Sequence, residues 1–298
     1  MRVMFNEVRN NKIKSYFLMF IFLIIIAGLG LLIGAIFGSL IGGLVIAVVC
    51  AVIYTIVVFF SGDNMILGLS GAKEAKKVEF PHLFHTVEGL AVSAGIPTPK
   101  AYVIEDEAMN AFATGRDPEH ASITVTTGLM KKLNRQELEG VVAHEMSHVK
   151  NFDIRTMMLA VVLVGVVALL SGILLRSFLF SGGNRSSNNG NAGAILIIIG
   201  IALAIFAPIA SEMIKLAISR KREYMADANA AILTRYPPGL AGALKKIATD
   251  PKPLLKKANK ATAHLFIANP FQRVKKGASN WFSTHPPIDE RIKRLEAM

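Results

Sequence analysis

The sequence predicts a mostly α membrane protein, with four transmembrane helices and a cytoplasmic α+β domain built around a small antiparallel sheet. Three observations predict it. Of 298 residues, 52% are hydrophobic, and the mean hydropathy of +0.46 exceeds what a soluble domain carries. No charged residue occurs from 15 to 62, and uncharged runs recur at 157–175 and 186–211, lengths that suit spans of about 20 residues. The stretches between and after these runs have the charges, prolines and alternating apolar positions of a folded domain.

The first run is long enough to cross twice, with spans at 17–37 and 44–60. The small residues from Gly38-Ser39 to Gly42-Gly43 suit the turn between them. A cleavable signal peptide shares the basic start and apolar run, but no small-x-small site precedes a polar mature start. Cys50 is the only cysteine, which excludes an intramolecular disulfide and a cysteine-based zinc site.

Residues 63–156 form the first half of the folded domain. Residues 80–94 read as an amphipathic helix closed by Gly95 and Pro97, followed by three short strands at 101–104, 110–114 and 122–126 that suggest an antiparallel meander. Asn134 is an N-cap, and Glu137 three residues later completes a capping box for a helix starting near Arg135. The runs at 157–175 and 186–211 are spans three and four, with a buried hairpin inside the domain as the competing reading. Residues 212–298 complete the domain, so the division is 1–62, 63–156, 157–211 and 212–298.

The net charge of +12 would on a soluble chain raise nucleic acid as a partner. Here the basic residues border the apolar runs: Arg2, Arg9, Lys12 and Lys14 before the first, Lys73, Lys76 and Lys77 after the second, Lys215, Arg220, Lys221 and Arg222 after the fourth. The intervening loops on the other side carry Arg176 and Arg185. The bilayer is therefore the expected partner, nucleic acid is not, and the positive-inside rule puts both termini and the domain in the cytoplasm.

The chemistry centres on His144-Glu145-Met146-Ser147-His148. Residues four apart share a helix face, so His144 and His148 direct two ring nitrogens at one metal while Glu145 reaches a water beside it. A catalytic zinc needs a third protein ligand. Glu223, in Arg222-Glu223-Tyr224-Met225-Ala226-Asp227 on a helix continuing out of the fourth span, is the candidate. Asp227, one turn on, can accept from the other nitrogen of a zinc histidine. The pair taken alone also fits a solvated helix face. His82, His85, His120 and His264 read as surface or packing residues.

These motifs resemble the HtpX family of membrane zinc metalloproteases, related to the CAAX prenyl endopeptidases. Asn110-Ala111-Phe112-Ala113-Thr114-Gly115 is similar to that family's edge strand, and His285-Pro286 with Arg291-Ile292 to its C-terminal signature. No motif position departs from the pattern. The resemblance implies a zincin-like (gluzincin) domain, one Zn2+ per chain on His144, His148 and Glu223, and Glu145 as general base, passing a water proton to the leaving amine without a covalent intermediate.

It also implies substrate contacts at Asn110, Ala111, Phe112 and Ala113, and substrate or oxyanion contacts at His285 and Arg291. The latter two read equally well as a helix-start histidine and a surface arginine, and 110–115 as a plain core strand. The expected activity is quality-control cleavage of misfolded or damaged membrane proteins, as part of a stress response, at the cytoplasmic membrane of a prokaryote. The alternatives are a CAAX-type prenyl-protein endopeptidase and a metal-binding membrane transporter. A transporter calls for ionisable residues inside the spans, and all four cores lack them.

Overall fold

A computed structural model describes residues 2–36, 38–166, 219–250, 265–267 and 286–298. Two long helices, α1 (Arg2–Ile36) and α2 (Leu40–Ser70), lead into β1 (Lys73–Glu74), α3 (Pro81–Ala94), β2 (Lys100–Ile104), β3 (Ala111–Gly115) and β4 (Ala121–Thr126). A short α4 (Thr127–Lys132) and α5 (Arg135–Lys150) follow, then helical residues 153–166 (α6). After residue 219 come α7 (Arg220–Thr234), α8 (Pro237–Thr249) and α9 (Ile288–Glu296).

Helices α1 and α2 are long and apolar enough to cross a membrane. They turn at Gly38-Ser39 alone, and Gly42 and Gly43 lie inside α2 rather than in the turn. The reason is packing: a Cβ on Gly43 would come within 2.5 Å of Gly34 Cα, so the glycines let two backbones touch. Helix α2 runs past residue 62 to Ser70, closing on Gly71 in the left-handed region at φ 67°. The remainder of span three beyond 166, all of span four and the loop between them lie outside the described residues. Of the third run, 158–164 are buried.

The sheet is mixed, not an antiparallel meander. Its order is β1-β2-β4-β3, with β2 parallel to β4 and β3 antiparallel to it. Strand β4 takes an interior place between β2 and β3, and all six of its residues are buried. Sequence alternation marks the strands but not their order, because an up-down-up path is common to both arrangements. The order is fixed by the 105–110 loop folding over the end of β4. Thr126 Oγ1 donates to Ala108 O at 2.6 Å, Gly128 N donates to Asp106 O at 2.8 Å, and Asn110 N donates to Thr126 Oγ1 at 3.0 Å. A Cβ on Gly128 would sit 2.1 Å from Glu107 O, so only glycine admits this loop.

Two cores meet at β3. Ala111 and Ala113 face a core formed by the sheet, α3, α5 and α8. Phe112, alternating to the other side, joins the core under α1, α2 and α6, where it packs edge-to-face on Phe266 at 5.1 Å.

Candidate active site

Helix α5 forms where the sequence predicts it. Asn134 Oδ1 accepts from Glu137 N at 2.9 Å, and Glu137 Oε2 accepts from Asn134 N at 2.8 Å, closing the capping box. The helix is buried through its C-terminal half, which carries His144, Glu145 and His148. Helix α7 crosses beside it and brings Glu223 and Asp227. It begins afresh at Ser219, whose extended backbone (φ −144°, ψ 123°) separates it from what precedes, so it does not continue a preceding span as a single helix.

His144 Nε2 and His148 Nε2 lie 3.2 Å apart. Glu223 reaches both, with Oε2 3.8 Å from His144 Nε2 and Oε1 3.5 Å from His148 Nε2. Zn–N bonds of 2.0–2.1 Å in a tetrahedron put ligand atoms about 3.3 Å apart, so the three groups fit one zinc with a fourth position open. The ring nitrogens away from this point are engaged by carboxylates. His144 Nδ1 is 3.0 Å from Asp227 Oδ1, and His148 Nδ1 is 3.0 Å from Asp153 Oδ2. With Nδ1–H donated outward, both Nε2 lone pairs point inward. At 3.2 Å the two nitrogens call for a cation between them, the His148 proton in the metal-free protein or a metal ion, and the Glu223 carboxylate facing both completes a donor set that fits a metal.

The electrostatics agree. Burial opposes charge on His148, but the hydrogen bond to Asp153 and the Glu223 carboxylate raise its pKa to about 9. Burial also opposes ionisation of Asp227, yet Arg291 and His144 hold it down to about 2. Glu145 is 3% exposed. Its burial pushes the carboxyl pKa up, against the pull of His144 and His148 and of a hydrogen bond from the Ala113 backbone N–H.

Arg291 is not at the surface: it backs the metal-facing groups, with Nη1 3.7 Å from Glu223 Oε2 and Nη2 3.4 Å from His144 Nδ1. It is 1% exposed, and its Nε and Nη2 donate to Asp227 Oδ2 and Oδ1 at 2.9 and 2.6 Å. The bidentate pair locks the carboxylate that holds His144. His285 lies outside the described residues, as does His264.

Strand β3 is a sheet edge. Ala111 O points away from β4 and accepts from Ile267 N at 3.0 Å. Ala113, two residues on, presents its main chain on the same side. Asn110 is buried and turns its main chain to Thr126. The cavity among Ala113, His144, Glu145, His148 and Glu223 measures about 10 Å³, closed over by Met157, Leu265 and Ile267. That is room for about one water.

Sequence reasoning missed Asp153, Arg222 and the closing segment 265–267. Asp153 had a signal: it is a charge between the histidine helix and an apolar run. What brings it back is Phe152, a bulky residue at φ 60°. That conformation costs about 1 kcal/mol or more, and Lys12 and Arg155 stack on the ring, 4.6 and 5.1 Å from its centroid.

A carboxylate and two braced imidazoles converging on one point, with a buried glutamate and a sheet edge beside them, make this a metallopeptidase by class. Residues 77–298 match the model of peptidase family M48, and the chain belongs to that family. Among its relatives are proteins described as "Protease HtpX homolog". That of Dictyoglomus thermophilum is 50% identical over 82% of this chain and 80% of its own length. That of Tropheryma whipplei is 41% identical over 99% of both, and that of Lactobacillus helveticus 40% identical over 99% of this chain and 100% of its own. The fold is also that of Ste24p from S. mikatae, with a TM-score of 0.51 at 21% identity. The likeness covers 97% of this chain and 66% of that one.

Proposed function

We propose that the protein is a membrane-embedded zinc endopeptidase that cuts misfolded or damaged membrane proteins on the cytoplasmic side. The carrying observation is the convergence of His144, His148 and Glu223 within 3.2–3.8 Å, with both Nδ1 atoms braced by carboxylates. When bound, zinc supplies a Lewis acid that polarises a carbonyl and brings the pKa of water to about 7. Glu145, steadied by the Ala113 N–H, takes the proton of the attacking water at its carboxylate and delivers it to the leaving amine. His144, His148 and Glu223 hold one zinc per chain.

The membrane reading is supported by α1 and α2, on which large apolar side chains, among them Phe20, Ile24, Ile41, Ile46 and Phe60, are more than half exposed on the protein. The cytoplasmic orientation and the four-part division of the chain rest on the distribution of Lys and Arg and on the apolar runs. An extended substrate is read as pairing with β3 at Ala111 and Ala113, main-chain recognition that tolerates many sequences. It would take the place Ile267 holds on Ala111 O. Because the Ala113 N–H also steadies Glu145, Ala113→Pro would strike both roles at once. The CAAX-type alternative has the likeness of fold to Ste24p behind it and nothing at the site that favours it.

The test is degradation of casein by the detergent-purified protein after zinc reconstitution. Cleavage that disappears on chelation and returns with zinc is expected; cleavage indifferent to chelator would sink the metal-dependent reading.

A further inference from the structure

The brace behind His148 is itself held from the membrane side. Asp153 Oδ2 faces His148 Nδ1 at 3.0 Å, while Oδ1 accepts from Arg222 Nη1 at 3.1 Å and from Asn11 Nδ2 at 2.7 Å. Asn11 lies on α1 and is fully buried, at 0% exposure. Its Nδ2 also donates to Asn151 O at 2.8 Å, and its Oδ1 accepts from Arg222 Nη1 at 3.1 Å. One amide therefore ties together the residue that ends α5, the carboxylate on His148 and an arginine one position before Glu223.

One turn along α1, Ser15 Oγ is 3.1 Å from Thr156 Oγ1, and Thr156 Oγ1 donates to Asn11 O at 3.1 Å. Below these polar residues the same helix buries Leu18, Phe22 and Ile25. A buried polar group is costly unless its partners are all in place, and a helix needing only to cross a bilayer has no use for an asparagine here. The amide is spent on the domain.

We propose that Asn11 is a positioning residue of the metal centre, fixing Asp153 and through it the imidazole of His148, so that the first membrane helix is a working part of the zinc site. The proposal rests on reading His144, His148 and Glu223 as the metal site. Arg222, also buried, supplies charge to Asp153 through the same Nη1 that meets Asn11 Oδ1. Asn11 is short, and its two amide hydrogens bind Asp153 and Asn151 at once, which sets the angle between the end of α5 and the carboxylate.

The test uses the full chain in detergent and reads zinc affinity by chelator competition. Asn11→Ala is expected to weaken zinc binding about tenfold, the size of effect typical of groups that orient a metal's ligands. Asn11→Asp keeps the size and the acceptor for Arg222 but loses the donor to Asp153, and is expected to weaken binding as well. Ser15→Ala, on the same face but not touching Asp153, is expected to keep the wild-type affinity. In an Asp153→Asn background, Asn11→Ala should add little, because the two act in series.

Unchanged affinity in both Asn11 variants overturns the proposal while leaving the metal centre standing. So does an equal loss in Ser15→Ala, which assigns the effect to the seating of α1, and so does full additivity with Asp153→Asn. A wild-type protein that takes up no zinc removes the metal site and the proposal together.

Discussion

Glu145→Gln is expected to keep zinc and to lose peptide cleavage by about a thousandfold, ~4 kcal/mol of transition-state stabilisation. Glutamine fits the same buried space, accepts from the Ala113 N–H, and leaves the three metal-facing groups in place. It has no basic oxygen for the water's proton. The burial that pushes the Glu145 carboxyl upward also brings its basicity toward the working pH, which a general base needs. Measuring zinc content beside casein turnover separates the two functions. A loaded variant that cleaves at the wild-type rate would show that another group moves the proton.

Glu223→Gln is expected to yield protein largely free of zinc, with affinity reduced by more than about a hundredfold, whereas Asp227→Asn should weaken zinc about ten- to a hundredfold and still load at saturation. The distances make the distinction: Glu223 faces both Nε2 atoms, and Asp227 faces only the Nδ1 of His144. Asp227→Asn carries a second penalty, because it breaks the buried bidentate pair with Arg291 and leaves that guanidinium to Glu223 Oε2 at 3.7 Å, a loss of up to about 3–5 kcal/mol for a broken buried pair. Pairing it with Arg291→Met removes that penalty, and Arg291→Met alone measures what losing the 3.7 Å contact to Glu223 does to zinc. If Asp227→Asn is the zinc-free variant and Glu223→Gln stays loaded, the third ligand is the wrong one.

The same titration has a pH arm. Zinc must displace the proton that His148 holds up to about pH 9, so affinity should rise with pH up to about 9 and level off above. A raised folded pKa stabilises the metal-free protein fully below the unfolded value, and that stabilisation is lost as pH rises through about 9. The metal-free protein should therefore lose stability across this window, and thermal melts with and without zinc would diverge as pH increases.

The features legible in the sequence are those written in short-range periodicity. The capping box at Asn134 and Glu137, the pairing of His144 with His148 at four residues, and the left-handed glycine at 95 that ends α3 each depend on neighbours within one or two turns. Helix geometry alone decides them. The apolar runs of α1 and α2 are equally plain, since length and composition suffice for a span.

Other features depended on pairings that no local pattern records. Strand order came out mixed because Thr126 and Gly128 draw the 105–110 loop over β4, a contact between segments about 20 residues apart. Arg291 was read beside its motif neighbours as a substrate contact or a surface residue, and became the partner of Asp227 only when α9 packed against α7. Asp153 stands at the edge of an apolar run, and only the turn at Phe152 brings it to His148. The two histidines and the glutamate between them are legible in the sequence because helical spacing sets them, whereas Glu223 and Asp227 alone also fit a solvated helix face and drew their role from the family resemblance. Only the tertiary structure decided which groups brace them and what covers the cleft, because a buried charge takes its meaning from a partner whose distance along the chain carries no information about its distance in space.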